Sequence, residues 1–157
     1  LAGERELHKA CPGAIIIRTS WLYSGFGNNF VKTMLKLGNE RSQLKVIFDQ
    51  IGTPTYAADL ADAMLQIIDS GKFVPGIYHF SNEGVCSWYD FTKMIFKLAN
   101  VECEVLPIES KDYAVRTPRP HYSVLNKSKL KSTYNQTIPY WMDGLERCLH
   151  VLQSQSK

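Results

Sequence analysis

The sequence predicts an α/β protein containing part of a parallel sheet, and three observations carry that prediction. Ile15-Ile16-Ile17 is a run of three β-branched apolar residues, the pattern of a strand buried on both faces. A helical segment feeds it, which makes half of a βαβ unit. The run then turns polar and aromatic through Arg18-Thr19-Ser20-Trp21-Leu22-Tyr23-Ser24 and meets Gly25 and Gly27, as a strand does on leaving the core at its carboxyl end. Ligands of open α/β sheets bind just outside such ends. Trp21 would stand there with an apolar face and one N–H donor, suited to covering a flat or ring-shaped ligand; capping the core is the other reading.

The elements follow in order. Residues 1–10 read as the end of a helix before the turn Cys11-Pro12-Gly13. Asn28 or Asn29 can cap a helix carrying Phe30, Met34 and Leu37, ended by Gly38 and Asn39. Leu44–Phe48 is a short strand running into the turn-rich Asp49–Thr55. Tyr56–Asp69 is a helix with Leu60, Met64 and Ile67 or Ile68 on one face, stopped by Ser70-Gly71. Gly76–Phe80 is a partly exposed strand. Ser87 and Asp90 resemble a capping box and open a helix with Phe91, Ile95 and Leu98 inward. Residues 102–108 form an edge strand, because Pro107 cannot donate to a ladder. Residues 109–126 lack periodicity, and Pro118 and Pro120 hold Arg119 extended. Asn126 caps a short helix around Lys129, and a final amphipathic helix carries Trp141, Leu145, Leu149 and Leu152. Residues 153–157 form a frayed tail.

The 157 residues suffice for one ordinary core, and 45% hydrophobic with 21% charged residues is a soluble balance. No apolar run approaches the roughly 20 residues that span a bilayer, and the charged start is no signal peptide. The net charge of +3 is too small for a nucleic-acid-binding footprint. Lys127, Lys129 and Lys131 read as a solvated helix face. Cys11, Cys86, Cys103 and Cys148 are scattered, match no zinc spacing and fit a reducing cytoplasm. The chain begins with Leu1 rather than Met, which predicts a fragment.

No G-x-G-x-x-G, G-x-S-x-G, H-E-x-x-H or P-loop occurs. Three polar stretches beside element ends are the candidate ligand contacts: Asn28 and Asn29; Gln50, Thr53 and Thr55; Arg116 and Arg119. Arginine suits phosphate oxygens because its fork donates two hydrogen bonds at once, although a surface ion pair also explains Arg119. Asp49, Thr53 and Thr55 also read as turn and cap residues, His79 as a core or boundary residue, and Asp59 as facing solvent or capping its helix.

Taken together, Leu1-Ala2-Gly3-Glu4, Arg18 to Tyr23, Gly27-Asn28-Asn29-Phe30-Val31, Asp49 to Thr55, Asp59-Leu60-Ala61, Gly76 to Phe80, Ser87 to Phe91 and Arg119 to Leu125 occur in an order that closely resembles the dTDP-4-dehydrorhamnose reductase family, within the extended short-chain dehydrogenase/reductases. The resemblance runs to about Leu152. It implies a Rossmann-like nucleotide-binding half joined to a smaller α/β substrate-binding domain. On it, residues 1–27 end the Rossmann half and 28–152 form mainly the sugar-nucleotide region. It implies reduction of dTDP-4-dehydro-L-rhamnose with NADPH or NADH in the cytoplasm, within dTDP-rhamnose biosynthesis.

The family's catalytic Tyr-x-x-x-Lys lies directly before Leu-Ala-Gly-Glu, so the resemblance puts no catalytic residue in this chain and implies a carboxyl-terminal, substrate-binding half that is inactive alone. It assigns substrate contact to Trp21, which matches the tryptophan packing on the sugar, and to Asn29, Gln50 and Arg119 on the nucleotide-diphosphate side. It assigns cofactor contact to Thr19 and Ser20. Homodimers occur in the family, some with magnesium at the interface, for which no ligand is located here. Asn126, often Asp in the family, and Arg116-Thr117 before the Arg-Pro pair depart from its pattern. Two competing readings are a non-catalytic regulatory subunit of the same fold, of the type that binds methionine adenosyltransferase, and a reductase or epimerase acting on another nucleotide sugar.

Overall fold

The computed structural model describes residues 1–113, 117 and 119–155. Among the described residues six α-helices and eight strands follow in the order α1 (Ala2–Ala10), β1 (Ile15–Arg18), β2 (Leu22–Tyr23), α2 (Phe30–Glu40), β3 (Gln43–Ile47), β4 (Ile51–Gly52), β5 (Thr55–Tyr56), α3 (Ala57–Asp69), β6 (Gly76–His79), β7 (Cys86–Ser87), α4 (Trp88–Ala99), β8 (Glu104–Ile108), α5 (Ser128–Tyr134) and α6 (Trp141–Gln155). The strands meet in pairs. β1 with β6, β2 with β5 and β3 with β8 are parallel, whereas β4 with β7 is antiparallel. The α/β class with parallel sheet is as the sequence predicts. Pro107 sits opposite Val46 on β8, which has only β3 as partner among the described strands.

Two apolar cores result. The larger joins α2, β3, α4, β8 and α6 around Val31, Phe91, Ile95 and Leu145. The smaller packs α3 and α5 on β1 and β6 around Ile67, Tyr78, Phe80 and Leu130. Ile15 and Ile17 pack on this second core, but all three isoleucines of β1 are only half-buried. Their expected burial on both faces is not met because β1 pairs with β6 alone among the described strands.

Helix ends and faces follow the local chemistry, with three corrections. Asn29 is the N-cap of α2, its side chain accepting from Lys32 N–H at 3.2 Å, and Ser87 and Asp90 form a complete capping box on α4. Gly38 does not end α2. It lies inside the helix, where a Cβ would stand 2.6 Å from the Phe96 ring, so glycine serves close packing there rather than termination. On α3 it is Ala63 and Ile67 that are buried, while Met64 and Ile68 face outward. Asn126 does not cap α5 directly, because Lys127 holds the cap position and Asn126 Oδ1 accepts from Ser128 N–H one turn residue earlier.

Candidate functional site

β1 ends at Arg18, whose guanidinium forks onto Glu4 of α1 at 2.7 and 2.6 Å. Beyond it the chain crosses to β2 through Thr19, Ser20 and Trp21. Trp21 takes a left-handed φ of 46°, a conformation sparsely used by large side chains. Several contacts hold it there. Its carbonyl accepts from Thr55 N–H at 3.1 Å, and Ser20 Oγ donates to the Thr53 carbonyl at 3.0 Å. Its indole stacks on Trp88 with centroids 3.5 Å apart and planes 10° apart. Gly52 completes the seat, since a Cβ there would lie 2.6 Å from the indole.

A cleft of about 630 Å³ opens beside this indole. Ser20, Trp21, Gln50 and Arg119, four residues singled out from the sequence, line it together with Ile47, Trp88, Pro120 and Ser123. The late loop reaches the cleft because residues 121–123 bracket β4: Ile51 N–H donates to the His121 carbonyl at 2.7 Å, and Ser123 N–H to the Ile51 carbonyl at 2.9 Å. Arg119 is exposed and has no carboxylate in ion-pairing range among the described residues, which leaves its fork available to an anion. Gln50 is 6% exposed, its amide donating to Ser110 Oγ at 2.9 Å. Ser110 is in turn held by Asp49, which accepts from its N–H and at 2.6 Å from its Oγ. The Ser110 hydroxyl, more than any charge, keeps the Asp49 carboxyl below its ordinary range.

A smaller recess of about 200 Å³ continues from Ile47, Gln50 and Trp88 toward Phe30, Met34, Lys45 and Tyr113. Trp88 and Phe30 are each the first residue of a side-chain-capped helix, and their rings meet at 4.5 Å.

The remaining sequence candidates are placed elsewhere. Asn29 does not line the cleft; its side chain is occupied by the α2 cap and by the Ser24 carbonyl at 2.7 Å. Thr19 is exposed at the end of β1, and its hydroxyl donates to Thr55 at 3.3 Å. Arg116 lies outside the described residues. Asp59 neither faces solvent nor acts only as a cap: it is 7% exposed, accepts from Asn82 at 2.6 Å and pairs with Arg147. Of the three lysines, Lys129 and Lys131 are exposed as a solvated face requires, and only Lys127 departs from that reading. Lys127 is buried and donates to the Asn82 carbonyl, Lys129 donates to the Ile77 carbonyl over the Tyr78 ring, and Lys131 pairs with Glu83.

Sequence reasoning gave no role to Trp88 or Gly52. The signal that could have found them is an aromatic residue directly after a capping box and a glycine two residues past Gln50. A larger cleft of about 880 Å³ shares no lining residue with the Trp21 cleft. Tyr89 and Lys93 line it, which carry the sequence's one Tyr-x-x-x-Lys spacing. That spacing therefore stands apart from the cleft where Trp21, Gln50 and Arg119 meet. Among the described residues no three His, Cys, Asp or Glu side chains gather to hold a metal ion, so magnesium is assigned no ligand here. No described helix is long and apolar enough to cross a membrane, and all four cysteines are free thiols.

The family model described as the RmlD substrate binding domain matches residues 1–154. The spore coat polysaccharide biosynthesis protein SpsK of Bacillus subtilis is 45% identical over 152 residues, covering 97% of this chain and 52% of that protein. The dTDP-4-dehydrorhamnose reductase of Escherichia coli K12 is 38% identical, covering 97% and 54%. The crystal structure of dTDP-4-dehydrorhamnose reductase from Bacillus anthracis in complex with NADP superposes with a TM-score of 0.87 at 43% identity, over 95% of this chain and 52% of that one. The chain thus spans about half the length of the curated relatives it matches.

Proposed function

The chain belongs to the RmlD substrate-binding domain family, and on that premise we propose that it forms the sugar-nucleotide-gripping half of a reductase converting dTDP-4-dehydro-L-rhamnose to dTDP-L-rhamnose. The observation that carries the reading is the single cleft gathering Ser20, Trp21, Gln50 and Arg119. The Trp21 indole faces the sugar, where an apolar ring face matches a deoxyhexose, and Ser20 stands with Thr19 toward the nicotinamide. Arg119 takes diphosphate oxygens through its fork, and Gln50 orients them from the cleft floor.

NADPH or NADH supplies hydride to the C4 ketone in this reading. The residues present fit the cofactor at its edge: Thr19 is exposed at the end of β1 beside Ser20, where the nicotinamide side of the site would stand. The proton comes from the tyrosine of the Tyr-x-x-x-Lys that the family carries before Leu-Ala-Gly-Glu. A cytoplasmic setting belongs to the same proposal and is supported by the four free thiols.

Calorimetric titration of the 157-residue chain with dTDP-L-rhamnose tests the reading. Saturable binding is expected, and Arg119→Lys, which keeps the charge but loses the fork, weakens it about tenfold. The absence of binding at millimolar ligand would remove the proposal. The same chain mixed with NADPH and dTDP-4-dehydro-L-rhamnose is expected to leave the absorbance of NADPH unchanged; steady oxidation would overturn the division of labour.

A further inference from the structure

We infer that Trp88 is a positioning residue for the sugar end of the cleft, acting through Trp21 rather than by touching the sugar itself. The inference rests on the sugar-nucleotide reading above. Trp21 sits in a conformation that L side chains avoid, with φ of 46°, and such strain persists only where surroundings enforce it. Two surroundings touch the ring: Gly52, which has no side chain to give way, and Trp88, which stacks on it at 3.5 Å. Trp88 is itself over-determined. It is the first residue of α4, where Ser87 and Asp90 close a capping box, and Thr92 Oγ1 donates to its carbonyl at 2.8 Å. Phe30, fixed by the Asn29 cap, packs against it at 4.5 Å. The β4–β7 register adds the last constraint by setting Gly52 opposite Cys86 and Ile51 opposite Ser87. One short ladder therefore fixes both the seat and the neighbour of Trp21. Aromatic pairs have preferred relative orientations, which aliphatic packing lacks. A ring held in one orientation also loses less freedom when a ligand arrives.

The test combines optical coupling with a double-mutant cycle. Two indoles at this spacing give a paired exciton signal in circular dichroism. It is expected to vanish in Trp21→Phe and in Trp88→Phe and to survive in Trp141→Phe. For dTDP-L-rhamnose, Trp88→Leu is expected to weaken affinity about tenfold, whereas Trp88→Phe, which keeps a ring, stays within about threefold. In a Trp21→Ala background Trp88→Leu is expected to change nothing further, and the affinity for dTDP, which lacks the sugar, is expected to be the same in all variants. If Trp88→Leu does not fold, Trp88→Met, which removes the aromatic face but keeps a flexible space-filling side chain, carries the same cycle. Additive losses, an equal loss for dTDP, or a signal that survives in either single variant would overturn the positioning role. A wild-type chain that shows the paired signal but binds no dTDP-L-rhamnose would instead remove the functional reading, and this role with it.

Discussion

Trp21 is held left-handed at a cost of order 1–3 kcal/mol for a non-glycine residue, which places strain at the residue that also faces the cleft. Around it, small polar residues are spent on shape. Thr53 is fully buried with its hydroxyl on the Gly84 carbonyl at 2.8 Å, and Ser20 and Thr19 lean on the same strap of residues 53–55. Asp49 does comparable work for Gln50 by pinning Ser110. Its carboxyl is depressed, first by the Ser110 hydroxyl, with a smaller pull from His121. The sign follows from linkage: a depressed carboxyl stabilises the fold fully above its unfolded pKa of about 3.9 and loses that contribution as pH falls through the folded value. In a His121→Gln background, which removes the neighbouring imidazole, thermal melts with and without Asp49→Asn are therefore expected to differ by a constant amount from about pH 5 to 7, with the chain that keeps Asp49 higher, and to converge below about pH 4. A difference that grows on acidification would contradict the Asp49–Ser110 bond.

At the scale of elements, the capping residues were legible because their chemistry is local. Ser87 and Asp90 announce the start of α4 within four residues, and Asn29 that of α2. What was not legible depended on a partner far along the chain. Gly38 reads as a stop signal, yet it serves the crossing of α2 and α4, where Phe96 and Val101 fill the space a side chain would occupy. Gly38→Ala sets two effects against each other. Alanine gains about 1 kcal/mol in helix propensity, while a Cβ only 2.6 Å from the Phe96 ring and 2.8 Å from Val101 Cγ1 overpacks the crossing at about 1–3 kcal/mol. The second effect wins because the ring is itself in the core, at 4% exposure, with nowhere to retreat. Gly38→Ala is expected to lower Tm by about 2–4 °C, with Phe96→Leu in the same chain recovering part of the loss. A rise in Tm would show that the crossing is looser than these distances say.

Across the whole molecule the two cores interleave in sequence, so something must fix one to the other. Asn82 is placed to do so. It follows Phe80 of the smaller core, is fully buried, and spends its side chain on both sides. Its Oδ1 accepts from the N–H of Tyr56, a residue of the larger core, at 2.8 Å; its Nδ2 donates to Asp59 of α3 and to the Pro139 carbonyl that precedes α6. Lys127 closes the arrangement by donating to the Asn82 carbonyl at 3.0 Å while pairing with Glu83. Composition made Asp59 and Lys127 look like surface charges, because their partners lie 23 and 45 residues from them and burial of an ion is earned only by tertiary pairing. The cleft shares this dependence, since Tyr56 N–H fixes the end of the strap on which Ser20 and Trp21 rest. Asn82→Ala removes three hydrogen bonds and leaves buried polar groups without partners, at about 1–3 kcal/mol for each such group. A net loss of about 3 kcal/mol is expected, read as a fall of about 1.5 M in the urea midpoint at unchanged slope. The same variant is expected to bind dTDP-L-rhamnose more weakly even at temperatures where it is fully folded, because the strap loses its anchor. Weakened stability with unaltered affinity would show that the cleft is set by β4 and Trp88 alone, and that the junction between the cores serves only to hold them together.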